Sequence, residues 1–371
     1  MDHDAVIVGA SFAGLACAAA LAKRGAAVTV LDRKQEAGEK LHTTGILVRD
    51  ALDHVPLLDE VPAGLLRRID HVRLYAPNLK HIDLCAPDYY FLATDTAGLM
   101  RWLAARAAEA GARFLWGCPF KRAWSVRSGY NLGASYGTTR VLIGADGPRS
   151  AVARSLQLGE NRQFLTGIEH EYAGVSIHDD DHLHCFIDRR CMPGYIGWVL
   201  QGVGVTQVGL ARRQAAADGL SAVAAMQGLL DKIEPLFDFR GRQPASVRAG
   251  LIPCGGLVHP VARPRALLVG DAAGMVSPVT AGGIHTALQH GARAGHAVAD
   301  FLSGCGDDPG AWAARTYPRF PIKRAMRFLF DHFQSDWAFD LMLSSGPMRR
   351  IASQIYFHQR GIAASRSEPA G

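Results

Sequence analysis

Ala5-Val6-Ile7-Val8-Gly9-Ala10-Ser11-Phe12-Ala13-Gly14 decides the fold of this chain. Four apolar residues run into a glycine, then into small and apolar residues and a second glycine. An Ala- and Leu-rich segment extends from there to about Arg24. That order reads as a buried strand, a tight turn and a helix start. Val28-Thr29-Val30-Leu31 reads as a second strand, ending at Asp32. Strand, Gly-rich turn, helix, strand and acid together make a βαβ dinucleotide-binding unit. Gly9 permits the turn and Gly14 lets the helix pack on the strand. Asp32 lies 18 residues beyond Gly14, where a carboxylate meets a ribose. Ser11 replaces the middle glycine of GxGxxG; its side chain is small, and its hydroxyl can donate to a pyrophosphate. Ala10, Phe12 and Ala13 in the turn, and Arg33 after the acid, complete this set of candidate contacts.

Two further strand ends carry the same chemistry. Val141-Leu142-Ile143-Gly144-Ala145-Asp146-Gly147 is followed by a helix bearing Ser150 and Arg154. Asp146 reads as a ligand carboxylate, as the cap of that helix, or as both. Leu267-Leu268-Val269-Gly270-Asp271-Ala272-Ala273-Gly274 leads to Pro278-Val279-Thr280-Ala281-Gly282-Gly283-Ile284 and a helix. This layout suits a flavin. Asp271, at a strand end, can accept hydrogen bonds from ribityl hydroxyls. Gly282 and Gly283 let backbone approach a flat ring. The N–H groups of the following helix face the ring's polar edge, where negative charge gathers on reduction. Three strand ends thus converge on one ligand, as expected at the carboxyl edge of an open α/β sheet.

The trio GxSxxG, GADG and GDAAG, over roughly residues 1–305, resembles the para-hydroxybenzoate hydroxylase superfamily of FAD enzymes. Within it, the chain is most similar to the geranylgeranyl reductase family. Aromatic hydroxylases of the superfamily carry a His after GDAA and a GQG-N element, whereas this chain has Gly274 and Gly282-Gly283-Ile284-His285. Met192-Pro193-Gly194-Tyr195-Ile196-Gly197-Trp198 resembles the reductases' PGGYGW segment; Leu200-Gln201 stands where the family continues with Phe-Pro. The resemblance implies that Tyr195 and Trp198 line a cavity for a small apolar substrate. It places His42 near the flavin ring, where the reductases often carry a Cys; His42 reads either as a proton donor or as a loop residue bonded to backbone. It also implies FAD contact by Arg101, while Thr96 replaces an Arg usual in the superfamily.

Composition agrees. The chain has 371 residues, 49% of them hydrophobic, 40 glycines and a net charge of +6. These values fit a globular α/β protein of two or so domains. No basic stripe with interleaved aromatics stands out, so nucleic acid is a poor partner. Seven scattered cysteines without a CxxC argue for a reducing compartment and against a zinc site. The N-terminal residues read as a strand rather than a signal peptide. No apolar run reaches the roughly 20 residues of a membrane span. A cytoplasmic protein is expected, with peripheral membrane contact through the C-terminal region as a further reading.

The expected fold is α/β (α+β overall): a Rossmann-type FAD-binding domain, an inserted antiparallel β-sheet substrate domain and a C-terminal helical region. Residues 1–70, 95–160 and 260–305 make the discontinuous FAD domain; 71–94 and 161–259 make the substrate domain; 306–371 make a helical cap and tail. A hairpin is expected over Ile69 to Leu84, and helices over Ala97 to Ala110, Ala215 to Ile233 and about Trp312 to Phe357. The last carries Phe328, Phe330, Phe333, Trp337, Phe339 and Met342, and basic residues flank it. His178-Asp179-Asp180-Asp181-His182-Leu183-His184 invites a metal, but its Asp-rich middle is what a turn needs, and no metal site is assigned.

The resemblance implies reduction of carbon–carbon double bonds in an isoprenoid or other apolar substrate, by hydride from reduced FAD. NAD(P)H or a reduced ferredoxin-type protein would supply the electrons. The alternatives are a monooxygenase hydroxylating a small apolar or aromatic substrate through a C4a-hydroperoxyflavin and, less in keeping with the motifs, a flavin halogenase.

Overall fold

The computed structural model describes residues 1–214, 219–278 and 282–319, with positions 321, 325, 327, 336, 352, 356 and 357. The aromatic series from Phe328 to Met342 lies outside the described residues, as do Thr280 and Ala281. The chain forms two compact units. One comprises Met1–Leu65, Thr94–Thr166 and Arg248–Phe328; the other comprises Leu66–Ala93, Gly167–Val247 and Leu329–Gly371. The described helix Pro309–Thr316, which the sequence reading gave to a C-terminal cap, falls within the first unit.

The first unit is built on a sheet whose parallel strands lie in the order Ala266–Leu268, Thr138–Gly144, His3–Val8, Val28–Leu31 and Arg113–Leu115. Strands buried on both faces need continuous apolar runs, which is why Ala5 to Val8 and Val28 to Leu31 are buried throughout. His3–Val8 pairs with Val28–Leu31 on one side and with Thr138–Gly144 on the other. Strand order therefore reverses at its carboxyl end, the place where open α/β sheets bind ligands.

The helix Phe12–Lys23 leaves this strand end with all but Lys23 buried. Its alanines suit a crossing with Ile284–Leu302 that has no room for larger groups. A Cβ at Gly291 would run into the Ala13 carbonyl, and one at Gly295 would lie 2.7 Å from the Cys17 carbonyl oxygen.

The second unit is organised by a seven-stranded sheet in the order Ser246–Pro253, Phe164–Ala173, Val205–Arg213, Gly197–Gln201, His182–Phe186, His71–Tyr75 and His81–Leu84. The hairpin expected around Pro77-Asn78 forms, with Val72 opposite Leu84 and Tyr75 opposite His81. His182–Phe186 pairs in parallel with His71–Tyr75, His182 opposite His71. On one face Tyr75, Ile168, Tyr172, Phe186, Val199, Val208 and Leu210 pack with Ala225, Met226, Leu229 and Ile233 of the helix Ala222–Ile233. The next residues along the strands point the other way, by the period of two. Trp198 there donates its indole N–H to Glu169 Oε2 at 3.0 Å, and Gln207 Nε2 lies 3.3 Å from both Glu169 and Glu171.

The helix expected from Ala215 begins instead at Ala222. Gly219 sits at φ +64° and Ser221 Oγ caps the helix by accepting from Ala224 N at 3.1 Å. Residues 215–218 lie outside the description. The His/Asp cluster is spent on its neighbours: Asp179 bonds Arg73, Asp180 bonds Arg67, His182 meets Asp181 at 2.6 Å, and His184 faces Tyr75 Oη at 3.3 Å.

Candidate cofactor-binding site

The Gly-rich turn is held from three directions. Gly9 adopts φ +103°, and a Cβ on it would strike the Ala145 carbonyl. A Cβ on Gly14 would strike the Gly9 carbonyl. Both glycines of the motif are thus required by close backbone packing at the switch point. Ser11 caps the helix, its Oγ accepting from Gly14 N at 3.3 Å, which leaves its hydroxyl proton to donate. The first-turn N–H groups of Phe12 and Ala13 have no carbonyl one turn back to bond, which makes the helix start an anion seat. Asp32 accepts from Ala10 N at 2.7 Å and from Lys34 N at 2.9 Å, so it braces the turn from the end of the neighbouring strand. Arg33 beside it is exposed.

Ser150 caps the short helix Ala151–Ser155, its Oγ accepting from Ala153 N at 2.9 Å, and Asp146 supports that start. Asp146 accepts from Ser150 Oγ at 2.6 Å, Ala151 N at 2.6 Å and Val152 N at 3.1 Å. Burial pushes its carboxyl up, and these bonds oppose that push. Gly147 has φ +85° and open space where a Cβ would sit.

Asp271 differs from both. Gly270 at φ +59° turns the chain, and a 3₁₀ turn Gly270–Ala273 ends on Gly274 at φ +71°. Asp271 is half-buried, and burial alone pushes its carboxyl up to about 6. Among the described residues, that carboxylate accepts no hydrogen bond. A partly buried carboxylate with no donor from the described chain is open to a ligand that brings one. The turn itself is anchored by Asn161, whose Nδ2 donates to Asp271 O at 2.8 Å and to Pro148 O at 3.1 Å. That bridge joins the GADG and GDAAG segments, and nothing in the sequence marks Asn161 for it.

Beyond the turn, Pro278 is buried and Gly282 is exposed, its carbonyl accepting from Ser277 N at 3.2 Å. Gly283 caps the helix that starts at Ile284, and a Cβ there would approach Val276 Cγ2 to 3.0 Å. Arg101 is exposed on the helix Thr96–Glu109.

His42 is exposed, with Nδ1 2.7 Å from Ala249 O. A carbonyl accepts only, so Nδ1 carries a proton and Nε2 is the basic nitrogen of the neutral ring. Thr96 is fully buried, next to Thr94 Oγ1 at 3.1 Å. Arg248 reaches it: Nη1 donates to Thr96 Oγ1 and to Thr43 O, both at 3.3 Å. Sequence reading missed Arg248, which comes from a strand 152 residues away.

In the second unit Tyr195 is half-buried and Trp198 is 6% exposed. The Trp198 indole lies over Gly209, where a Cβ would collide with the ring. Trp198 thus packs into this unit's interior with its N–H bonded to Glu169.

A family model for an NAD(P)-binding Rossmann-like domain matches residues 7–53. The chain is 30% identical to digeranylgeranylglycerophospholipid reductase 2 of Methanopyrus kandleri over 315 residues, which is 81% of this chain and 78% of that protein. The chain belongs to the geranylgeranyl reductase family. It is also 31% identical over 315 residues to digeranylgeranylglycerophospholipid reductase 2 of Methanothermobacter thermautotrophicus, covering 81% of this chain and 79% of the relative. A solved geranylgeranyl bacteriochlorophyll reductase-like protein from Thermoplasma acidophilum has the same fold, with a TM-score of 0.80 at 19% identity over 96% of this chain and 97% of that one. The halogenase PltM in complex with phloroglucinol and FAD shares the fold at a TM-score of 0.72 and 14% identity, over 92% of this chain and 79% of its own.

The chain is therefore a flavin-dependent oxidoreductase of the geranylgeranyl reductase family. The residues present fit FAD: an Asp271 carboxylate with no donor among the described residues, a capped anion seat at Ser11 to Gly14 and open space beside Gly147. Among the described residues, no helix is long and apolar enough to cross a membrane.

Proposed function

We propose that this member of the geranylgeranyl reductase family saturates carbon–carbon double bonds in the isoprenoid chains of a lipid, a digeranylgeranylglycerophospholipid or a close analogue. The carrying observation is the carboxylate of Asp271, without a donor among the described residues, together with the Gly-rich turn, in a chain 30% identical to a reductase of that name. FAD held there would, once reduced, supply a hydride for one carbon of the double bond, with a proton from the protein for the other.

The protein's own residues then have distinct tasks. The Ser11 hydroxyl and the N–H groups of Phe12 and Ala13 hold the pyrophosphate, with Gly9 and Gly14 keeping the backbone close. Asp32, with one carboxylate oxygen on Ala10 N, accepts from the adenosine ribose, and Arg33 flanks it. Asp271 accepts from the ribityl hydroxyls, and the Asp146-Gly147 corner borders the pyrophosphate. Pro278, Gly282, Gly283 and the N–H of Ile284 seat the polar edge of the ring. Arg101 adds a cation on the FAD side. Tyr195, half-buried, borders the substrate cavity, and Trp198, with its N–H on Glu169, supports that segment from the unit's interior. His42, its Nδ1–H bonded to Ala249 O, delivers the proton from Nε2 of its imidazolium form and is left as the neutral Nδ1–H ring. NAD(P)H or a reduced ferredoxin-type protein supplies the electrons.

The test is anaerobic incubation of the FAD-loaded, dithionite-reduced protein with digeranylgeranylglycerophospholipid, followed by mass spectrometry of the lipid. Gain of hydrogen pairs is expected. An unchanged lipid with an active, reduced flavin rejects the substrate assignment.

A further inference from the structure

The segment Arg248-Ala249-Gly250 touches the His42 loop at every residue. Arg248 Nη1 donates to Thr43 O. Ala249 O meets His42 Nδ1. Gly250 lies so close that a Cβ on it would come within 2.8 Å of His42 Cβ and 2.9 Å of His42 O. The same Arg248 nitrogen donates to Thr96 Oγ1, and the Thr96 hydroxyl lies 3.4 Å from Thr44 O. One guanidinium therefore ties the carbonyl after His42 to the first residue of the Thr96–Glu109 helix.

This matters because His42 is exposed and its loop, Lys40 to Gly45, has no regular secondary structure. An exposed imidazole on a loop has rotamer and tautomer freedom that a proton-transfer residue must lose. Here the restraint comes from outside the loop. The Ala249 carbonyl selects the tautomer, but it does so only while the loop stays against this strand. Arg248, next to Ala249 in sequence, is the side chain that holds it there. Its Nη1 reaches both acceptors from the end of a long, planar guanidinium, a position that the shorter lysine side chain meets only in part.

We propose that Arg248 is a positioning residue for His42: by bridging Thr43 O and Thr96 Oγ1 it holds the His42 loop against Ala249 and fixes the imidazole with its proton on Nδ1. The functional consequence rests on the reading of His42 as the residue that handles the proton, so two separate readouts are needed.

The first readout is the tautomer itself. Histidine-selective ¹⁵N labelling of the FAD-loaded protein, with His42→Gln to assign the signal, reports the protonation of both ring nitrogens. Wild type should show His42 as a single Nδ1–H tautomer. Arg248→Met, which keeps the aliphatic bulk, should show tautomer-averaged nitrogens, and Arg248→Lys should recover the wild-type pattern in part. Unchanged FAD stoichiometry in Arg248→Met serves as the folding control; Thr96→Val, which removes one acceptor, gives a second route to the same loosening should that variant lose FAD. A His42 pattern that is the same in wild type, Arg248→Met and Thr96→Val overturns the proposal, as does an Nε2–H tautomer in wild type.

The second readout is flavin reoxidation by digeranylgeranylglycerophospholipid in single turnover. Arg248→Met should slow it by about tenfold, and this factor should vanish in a His42→Gln background, as expected for residues that act as one unit. Equal slowing in both backgrounds overturns the action of Arg248 through His42. A His42→Gln rate equal to wild type rejects instead the proton-handling role of His42, whatever the tautomer data show.

Discussion

Replacing Asp271 by asparagine should stabilise the apoprotein and weaken FAD binding at the same time. The carboxyl rises from 3.8 to about 6 because burial disfavours its charge, and no donor in the described chain compensates. At pH 8 the folded apoprotein must hold this carboxylate charged, at a cost of about 3 kcal/mol relative to the unfolded chain. The sign follows from linkage. Between 3.8 and about 6 the folded form binds the proton more tightly than the unfolded one, so stability falls as pH rises through that window and stays low above it. An uncharged asparagine removes the penalty. The apoprotein of Asp271→Asn should therefore gain up to about 3 kcal/mol at pH 8, shrinking to roughly half of that at pH 5. FAD reverses the balance, because ribityl hydroxyls donate to the carboxylate. Hydrogen bonds to a charged group are worth about 1.5–3 kcal/mol, so the variant should bind FAD roughly ten- to a hundredfold more weakly. Urea unfolding of apoprotein at pH 8 and pH 5 measures the first effect; FAD titration by fluorescence quenching measures the second. A less stable Asp271→Asn apoprotein at pH 8, or an unchanged FAD affinity, would refute the reasoning.

Other consequences are open to direct measurement. Gly14→Val places bulk against the Gly9 carbonyl and should cost about 1–3 kcal/mol or more, with loss of FAD from the purified protein; a yellow variant with wild-type thermal stability would contradict the packing argument. Trp198→Phe removes the indole donor to Glu169 and should cost about 1–3 kcal/mol in urea unfolding, whereas a neutral change would mean the bond carries little. Burial pushes His184 and His290 down to about 4, against 6.5 in an open chain. The unfolded chain then takes up protons first, so each histidine contributes stability that is complete above 6.5 and is lost as pH falls towards 4, by up to about 3 kcal/mol. His184→Gln should flatten that acid dependence; an identical slope in variant and wild type would exclude His184 as a source.

What the sequence makes legible is local. Gly9, Gly14 and Asp32 sit within one βαβ unit, where Gly14 packs on Gly9 and Asp32 braces Ala10, so their spacing carries most of the geometry, although the carbonyl that Gly9 faces belongs to the distant Ala145. Apolar runs such as Ala5 to Val8 announce strands buried on both faces. The sequence places Asp146 just before a helix, and its carboxylate does meet that helix's first N–H groups, although Ser150 is the cap.

The features that escaped sequence reading are those made by distant partners. Asn161 bridges to Asp271 across 110 residues, and Arg248 reaches Thr96 across 152. Neither residue type nor spacing signals such a contact. The parallel pairing of His71 with His182 is of the same kind, since a strand's periodicity shows which face is buried but not which strand lies alongside. The alanine run from Ala215 suggested helix by propensity, yet Gly219 at φ +64° and the Ser221 cap set the start later. Trp198 was expected at a cavity wall; its neighbour Gly209 gives the indole a seat in the interior, a fit visible only once the two strands are paired, Trp198 opposite Gly209.

The central claim is that Asp271 and the Gly-rich turn hold an FAD whose hydride goes to an isoprenoid double bond. The most direct test is a single anaerobic turnover: protein with stoichiometric FAD, reduced by dithionite, mixed with digeranylgeranylglycerophospholipid and followed by flavin absorbance and lipid mass together. The account predicts that flavin reoxidation and the gain of one hydrogen pair per flavin occur at the same rate. Flavin that stays reduced until oxygen is admitted, with oxygen then found in the product, would contradict it.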